Sequence, residues 1–494
     1  MTKTFPMIAK TLPGLEPVLE QELTALGADN IQIGRRMVSY EGDLKMLYKS
    51  NLYLRTALKV LRPIYEFDAE DIDILYTTLL NFDWSQWLTA DMTFAVDAVV
   101  YSSTFKHSRY VVYKTKDAIV DYFREQTSGT KRPSVKLSNP QLIFHLHIAE
   151  QHVTLCLDSS GESLHKRGYR MEQDRAPINE VLAAGILLKA GWHGQCDLMD
   201  PFCGSGTFLV EAALIATGTP PGIYRESYPF ERWPDFDSEL CSEVYNDDSS
   251  ERTFDYHIYG SDLSPQAIAK AKRNVTRSGM SRYIDLSVGD FADQHLPHPE
   301  AETDPKCLLV MNPPYGERLS DYDLEQLYSM IGRTLKFQFA GAQAWIIAHQ
   351  AEHFHAIGLK HDLREELYNG SLPCELRGYT LFEGKHKEYK EQIAQREESP
   401  QRRERGEAFH RSKGQEPRRH RAAYDKPAYS KGRGNGKPYD KPYDKPYDKS
   451  AHRGTQRTKG PHPAGSSSSG YKANIQTFGS DETFVHEAEV KDNE

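Results

Sequence analysis

From about Ala176 to Gly384, short apolar runs alternate with longer stretches of helical period, and this alternation limits the fold more than any other feature of the chain. Cys196 to Met199, a run ending at Asp262, Ile284 to Val288, Cys307 to Met311 and Gln343 to Ala348 read as strands. Helices lie between them. Pro177 suits the first turn of one that carries Ile178, Val181, Leu182 and Ile186, and another runs from Thr207 to Gly218. A third is capped by Ser264, starts with Pro265 and stops at Gly279. Strands alternating in this way pair in parallel between layers of helices, and such sheets hold ligands at the carboxyl ends of their strands. Asn369-Gly370 turns a closing pair of strands. The expected fold class is α/β, with a Rossmann-like unit over 161–384.

The first part of the chain has a different rhythm, that of two α+β units. Residues 1–62 begin with a strand around Met7-Ile8-Ala9 and a helix bearing Leu15, Val18, Leu19, Leu23 and Leu26, stopped by Gly27. A helix from Leu44 to Leu54 and a strand from Ala57 to Leu61 follow. Residues 63–160 place a helix at Asp71 to Leu80, a strand at Phe94 to Val100 and a helix at Tyr110 to Phe123. Two strands, Leu142 to Ile148 and Val153 to Leu157, close this unit around a turn at Ala149 to Gln151.

Residues 385–494 cannot build a core. They are polar, rich in Arg, Lys, Gly, Pro and Ser, and repeat Pro-Tyr-Asp-Lys three times in tandem from Pro438 to Lys449. So little apolar surface does not offset the entropy of ordering, and a disordered basic tail is expected. The net charge of -9 conceals a split. Gln401 to Lys472 carries about +12 and the segment from Ala473 about -5, so residues 1–400 are acidic. Any polyanion contact outside the tail must come from local basic patches. Within the tail, Arg402, Arg403, Arg405, Arg411, Arg418, Arg419 and Arg421 precede tyrosines at 424, 429, 439, 443 and 447. Flexible cations contact phosphates and tyrosines stack on unpaired bases, so the tail is expected either to raise affinity for RNA or simply to solubilise. The chain lacks a run of about eighteen apolar residues, and its first ten lack an apolar leader core. Its six cysteines show neither zinc spacing nor disulfide density. A cytoplasmic location, with no membrane and no metal, is expected.

Asp200-Pro201-Phe202-Cys203-Gly204-Ser205-Gly206-Thr207 stands where a strand gives way to a helix. Gly204 and Gly206 permit a tight turn and close backbone approach, and the helix N-terminus offers unpaired N–H groups. Such a turn seats a nucleotide-like cofactor, although a bare Gly-x-Gly serves equally as an ordinary helix cap. Asp262 ends the second strand, where a carboxylate can accept both ribose hydroxyls or merely cap a helix. Asp290 and Phe291 follow the third strand, where an acceptor for an adenine amino group and an apolar neighbour of its ring are useful. The long gap between Gly206 and Asp262 forces an insertion near Pro220 to Tyr256. Its Tyr224, Arg225, Tyr228, Phe230, Arg232 and Trp233 either touch a base or pack.

Asn312-Pro313-Pro314-Tyr315 closes the fourth strand. An exocyclic amine is a poor nucleophile because its lone pair is delocalised into the ring. The Asn312 side-chain oxygen and the Pro313 carbonyl can each accept one N–H, favouring a pyramidal nitrogen. Pro313 and Pro314 hold those acceptors rigid before reaction. Tyr315 can stack on a base swung out of its helix. A sulfonium donor arrives activated, so no metal, nucleophile or strong base is required. In this order, the glycine turn, Asp262, Asp290 and Asn312 point to S-adenosyl-L-methionine-dependent methylation of a base nitrogen.

With these residues assembled, the chain resembles the THUMP-domain class I RNA methyltransferases, and within them the bacterial 23S rRNA guanine-N2 methyltransferases in their single-methyltransferase form. Besides the two motifs, the likeness rests on Leu155-Cys156-Leu157-Asp158-Ser159-Ser160-Gly161 and Leu164-His165-Lys166-Arg167-Gly168-Tyr169-Arg170. It continues in Ala176-Pro177-Ile178-Asn179-Glu180, Leu182-Ala183-Ala184, Pro221-Gly222, Phe230-Glu231-Arg232-Trp233 and Asn312 to Leu319. The resemblance implies a ferredoxin-like subdomain over 1–62, a THUMP domain over 63–160 that holds structured RNA, and a Rossmann-like class I methyltransferase domain over 161–384. It implies that Asp200, Phe202, Gly204 and Gly206 line the cofactor, Asp262 the ribose, and Asp290 with Phe291 the adenine. Asn312, Pro313, Pro314 and Tyr315 would hold the guanine, in 23S rRNA or a large-subunit precursor. Some relatives carry a second methyltransferase domain; the tail stands in its place here, so that second activity is expected to be absent. Other readings remain open at this point: a tRNA guanine-N2 or adenine-N6 methyltransferase of the same fold, or a non-catalytic RNA-binding ribosome-assembly factor.

Overall fold

The computed structural model describes residues 3–170, 177–314, 320–349, 351–382 and 384. These belong to one compact unit, and the expected disorder of 385–494 concerns residues outside those described. Two sheets organise the fold.

The first sheet takes β1 (Phe5–Lys10), β2 (Asp29–Gly34), β3 (Met37–Gly42), β4 (Lys59–Asp68), β5 (Thr93–Tyr101), β6 (Ser134–Val135), β7 (Leu142–Ala149) and β8 (His152–Asp158). Its helices are α1 (Glu16–Leu26), α2 (Leu44–Tyr53), α3 (Ile72–Leu80) and α4 (Ser108–Gln126). The strand order is β2-β3-β1-β4-β8-β7-β5-β6. The expected division near residue 62 falls inside β4. That strand pairs with β1 through Lys59 to Leu61 and with β8 from Leu61 to Asp68, so one strand carries both α+β units on a single sheet. The hairpin β2-β3 is not foreshadowed by any apolar pattern. Asp29–Gly34 is polar and largely exposed, and the turn depends on Arg36 adopting a φ of 57°.

The second sheet takes β9 (Asp197–Asp200), β10 (Ile258–Asp262), β11 (Ile284–Val288), β12 (Cys307–Met311), β13 (Gln343–Ala348), β14 (Leu363–Asn369) and β15 (Leu372–Thr380). Helices α5 (Glu180–Lys189), α6 (Thr207–Ala216), α7 (Ser238–Tyr245), α8 (Pro265–Arg277) and α9 (Asp321–Gln338) accompany it. Its order is β11-β10-β9-β12-β13-β15-β14, parallel as far as β13 and antiparallel for the closing hairpin. The strand order reverses direction between β9 and β12, the switch point at which open α/β sheets bind ligands. Pro177 does not open α5. Asn179 is the cap, its side chain accepting the Val181 N–H, because a short polar side chain satisfies a free amide that proline cannot.

The aromatic residues of the insertion settle as packing. Tyr228, Phe230 and Trp233 are 1%, 1% and 4% exposed and belong to the core of the first sheet. Phe230 stacks on Tyr48 of α2 with ring centroids 4.8 Å apart. The insertion between α6 and β10 therefore lends aromatic residues to the N-terminal core, which holds the two parts together.

Gly332 inside α9 marks another close approach. A Cβ there would lie 1.9 Å from the Ile357 carbonyl oxygen, a backbone atom that cannot swing aside. Gly332→Ala gains helix propensity but overpacks this contact, and a net loss of about 1–3 kcal/mol is expected. Urea unfolding checks it; a raised midpoint would show that α9 moves freely. Among the described residues no helix is long and apolar enough to cross a membrane.

Candidate active site

The site grows from four strand ends. β9 finishes at Asp200, which is 1% exposed and whose carboxylate accepts the Phe202 N–H at 3.1 Å. Burial raises the Asp200 carboxyl well above the usual carboxylate range, and the neighbouring Asp262 adds to this. The chain then turns at Gly204 (φ 50°) and Gly206 (φ 84°), both in the left-handed region that favours glycine. Gly206 precedes α6 without any side-chain cap, so the first amides of that helix are left for a ligand. A Cβ on Gly206 would also press on Ala271 of α8 at 3.3 Å.

Asp262 at the end of β10 organises this turn. One carboxylate oxygen accepts the Gly204 N–H at 3.1 Å and the other accepts the Ser264 N–H at 2.9 Å. Each oxygen keeps capacity for a further donor. The Ser261 carbonyl accepts from Cys203, and the Asp262 carbonyl accepts from Gly289, tying the glycine turn to the ends of β10 and β11. Asp290 is half-buried, and its carboxylate accepts the Ala292 N–H at 2.9 Å. Phe291 is 2% exposed, stacked on Phe339 and tilted against Phe202, with centroids 5.4 Å and 5.9 Å away. It sits in the core, while Phe202 is the more exposed of the pair. Burial pushes the Cys203 thiol up, so the one cysteine in the turn stays protonated.

Across the switch point, Leu309 of β12 pairs with Met199 of β9. Three residues further along each strand the chain reaches Asn312 and Phe202. The Asn-Pro-Pro segment therefore leaves the sheet beside the glycine turn, with Asn312 half-buried, Pro313 buried and Pro314 exposed. Tyr315 lies outside the described residues.

Several residues near the site carried no sequence signal. Gln294 donates to the Ser261 hydroxyl at 2.6 Å while its own carbonyl oxygen is buried without a partner. Both residues line a cavity of about 250 Å³ that reaches Met199 and Leu286. Arg170 pairs with Glu180 at 2.9 Å and donates to the Thr207 hydroxyl at 2.8 Å, joining the first turns of α5 and α6. Beneath them Glu211, fully buried in α6, faces Arg167 at 3.4 Å and accepts from the Tyr169 hydroxyl at 2.9 Å. Arg167 also donates to the carbonyls of Leu164 and Arg55. Arg167, Tyr169, Arg170 and Glu180 lie in stretches that carried the resemblance; their contacts were not legible there.

The comparisons fit this geometry. Residues 6–61 match the RlmL ferredoxin-like domain, 69–158 the THUMP domain, and 167–377 the RMKL-like methyltransferase domain. A Synechocystis protein named "Putative RNA methyltransferase slr0064" is 35% identical over 382 residues, covering 77% of this chain and 97% of that one. The chain belongs to the THUMP-domain class I RNA methyltransferases. A solved structure described as "SMU.472, a putative methyltransferase complexed with SAH" superposes with a TM-score of 0.69 at 30% identity, over 78% of this chain and all of that one. A Listeria monocytogenes structure titled as a predicted N6-adenine-specific DNA methylase gives 0.68 at 29% identity, over 76% and 96%. The Ribosomal RNA large subunit methyltransferase K/L of Syntrophotalea carbinolica is 38% identical over 393 residues, 78% of this chain and 54% of that protein. The chain spans about half the length of the K/L relatives it matches.

As a THUMP-domain class I methyltransferase the chain uses S-adenosyl-L-methionine, and the residues present fit it. The uncapped start of α6, the glycine turn and a carboxylate with spare acceptor capacity suit a ligand with a carboxylate at one end and a ribose at the other. Among the described residues no group of His, Cys, Asp or Glu could hold a metal ion.

Proposed function

We propose that this methyltransferase modifies the N2 amino group of a guanine in 23S rRNA or a large-subunit precursor. The observation that carries this reading is the emergence of Asn312 and Pro313 from β12 directly beside the β9 glycine turn. The K/L relatives, named for large-subunit rRNA, support the choice of RNA.

When bound, the donor supplies a methyl group already activated on a sulfonium. The chain then has to bind, orient and exclude. Gly204, Gly206 and the first amides of α6 receive the donor's methionyl end, Asp262 its ribose, and Asp290 with Phe202 and Phe291 its adenine. The Asn312 amide oxygen and the Pro313 carbonyl accept the two N–H bonds of the guanine amine. This arrangement localises the nitrogen lone pair toward the methyl group, a gain that is positional and electrostatic. Tyr315 stacks on the extruded base.

Incubation with isotopically labelled donor and rRNA from cells lacking the protein, followed by nucleoside mass spectrometry, tests the assignment. Labelled N2-methylguanosine is expected in 23S rRNA. N6-methyladenosine, or label in tRNA alone, would replace the substrate, and absence of donor binding in calorimetry would replace the enzyme with a scaffold.

Asp262→Ala separates donor binding from base binding. Two hydrogen bonds to a charged acceptor are lost, and at about 1.5–3 kcal/mol for each such bond the donor's Kd is expected to rise by at least tenfold. Calorimetry with S-adenosylhomocysteine reads this directly. An unchanged Kd removes Asp262 from the ribose.

A further inference from the structure

We propose that the cleft between the THUMP segment and the 220–232 insertion is a second RNA site, a groove for the phosphodiester backbone away from the catalytic crevice. The inference rests on the reading of the chain as an RNA methyltransferase.

The cleft encloses about 640 Å³. One wall is Leu137, Asn139, Pro140 and Ile143; the other runs from Tyr224 to Pro229 with Arg232 and Arg277, and residues 160–168 lie between. Except for the first wall, these residues fall outside the segment matched to the THUMP domain.

Its charge is concentrated and poorly compensated. Elsewhere several well-held arginines face carboxylates: Arg62 meets Asp235, Arg170 meets Glu180 and Arg377 meets Glu375. In the cleft Arg167 faces Glu211, but Arg225, Arg232 and Arg277 hold neutral carbonyls instead. Arg277 donates its Nε to the Gly168 carbonyl at 3.0 Å, and Arg232 donates to the Pro140 carbonyl at 3.0 Å. Arg225 donates to the carbonyls of Ser160, Glu162, Ser163 and Lys166 at 2.9–3.3 Å. A carbonyl fixes a guanidinium without cancelling its charge, so these cations are positioned in advance and still attract an anion.

Lys166 adds a further cation, offset by an exposed contact with Glu162 at 2.6 Å, which solvent screens. Glu226 is the other acid in the lining. Of the five cations in the lining, Arg167 is neutralised by Glu211 beneath it; the other four against two acids leave the groove positive in a chain whose first 400 residues are acidic. A polyanion that reads no sequence here, the RNA backbone, suits fixed guanidinium groups and backbone edges. RNA lying in this groove touches the THUMP segment and the methyltransferase insertion together, which sets the angle at which a distant nucleotide reaches Asn312.

The test uses the full chain and rRNA purified from cells lacking it, with filter binding at salt concentrations from about 50 to 200 mM. The double variant Lys166→Gln with Arg277→Gln is expected to bind more weakly and to flatten the dependence of log K on log salt by about two units, roughly one for each phosphate no longer neutralised. Arg277→Lys alone keeps the charge but loses the Nε geometry, and it is expected to keep the parent's slope. Affinity for S-adenosylhomocysteine in calorimetry should not change. An unchanged slope in the double variant overturns the groove, and so does Arg277→Lys flattening the slope as the double variant does, which would make Arg277 a structural strut. A parent chain that methylates no RNA defeats the functional reading itself, and the groove with it.

Discussion

Asn312→Ala is expected to lower methyl transfer by roughly 10²-fold or more while donor affinity stays near that of the parent, as when a preorganised polar group is lost. Asn312 follows β12 and is half-buried, and the segment after it is stiffened by Pro313 and Pro314. On the proposed reading the alanine removes one of two acceptors for the amine but leaves the glycine turn, Asp262 and the start of α6 intact. The loss should therefore fall on turnover. Single-turnover transfer to rRNA, read alongside calorimetry with S-adenosylhomocysteine, separates the two quantities. Near-parental turnover would remove Asn312 from the chemistry, and equal loss of donor affinity would make it a cofactor residue.

Arg167→Met is expected to destabilise the fold by about 3–5 kcal/mol, the range seen when one partner of a buried ion pair is removed. Arg167 and Glu211 are 2% and 0% exposed, so the change takes from the carboxylate its directly paired cation and leaves it the Tyr169 hydroxyl, with Arg55 farther off. It also abandons the Leu164 and Arg55 carbonyls. Adding Glu211→Gln to Arg167→Met should recover much of the loss, because a neutral amide needs no countercharge and still accepts from Tyr169. Urea unfolding followed by tryptophan fluorescence suits this test, since Trp192 donates to the Ala212 carbonyl of α6. No further stability in the double variant would point to packing rather than charge. Glu211 lies one helical turn beyond Thr207, so a chain weakened here also loosens the helix start proposed to receive the donor.

The candidate site was legible where chemistry demands particular residues at strand ends. Glycines at 204 and 206, the carboxylates at 200, 262 and 290, and Asn-Pro-Pro at 312 all follow apolar runs, and the fold collects those run ends at one switch point. Phe291 was legible as an aromatic at the right place, but only the packing shows it enclosed by Phe202 and Phe339. Gln294 and Ser261 gave no sign, because a single hydrogen bond between residues far apart in the chain has no period and no spacing. The same holds for Arg167 and Glu211, whose pairing depends on how the linker lies along α6.

Local pattern determined most of the element types, the α/β character of the second sheet and the glycine turns, because hydrophobic period and glycine position act within a few residues; the family was legible only as a resemblance carried by longer motifs. Tertiary structure decided what joins the parts. A single strand, β4, is shared by the two N-terminal units, aromatics of the 220–256 insertion fill a core that begins at residue 5, and three arginines meet across a cleft. Those outcomes depend on which surfaces exclude water together and which carbonyls come within reach of a guanidinium. Both are properties of the folded chain as a whole, and no window of neighbouring residues contains them.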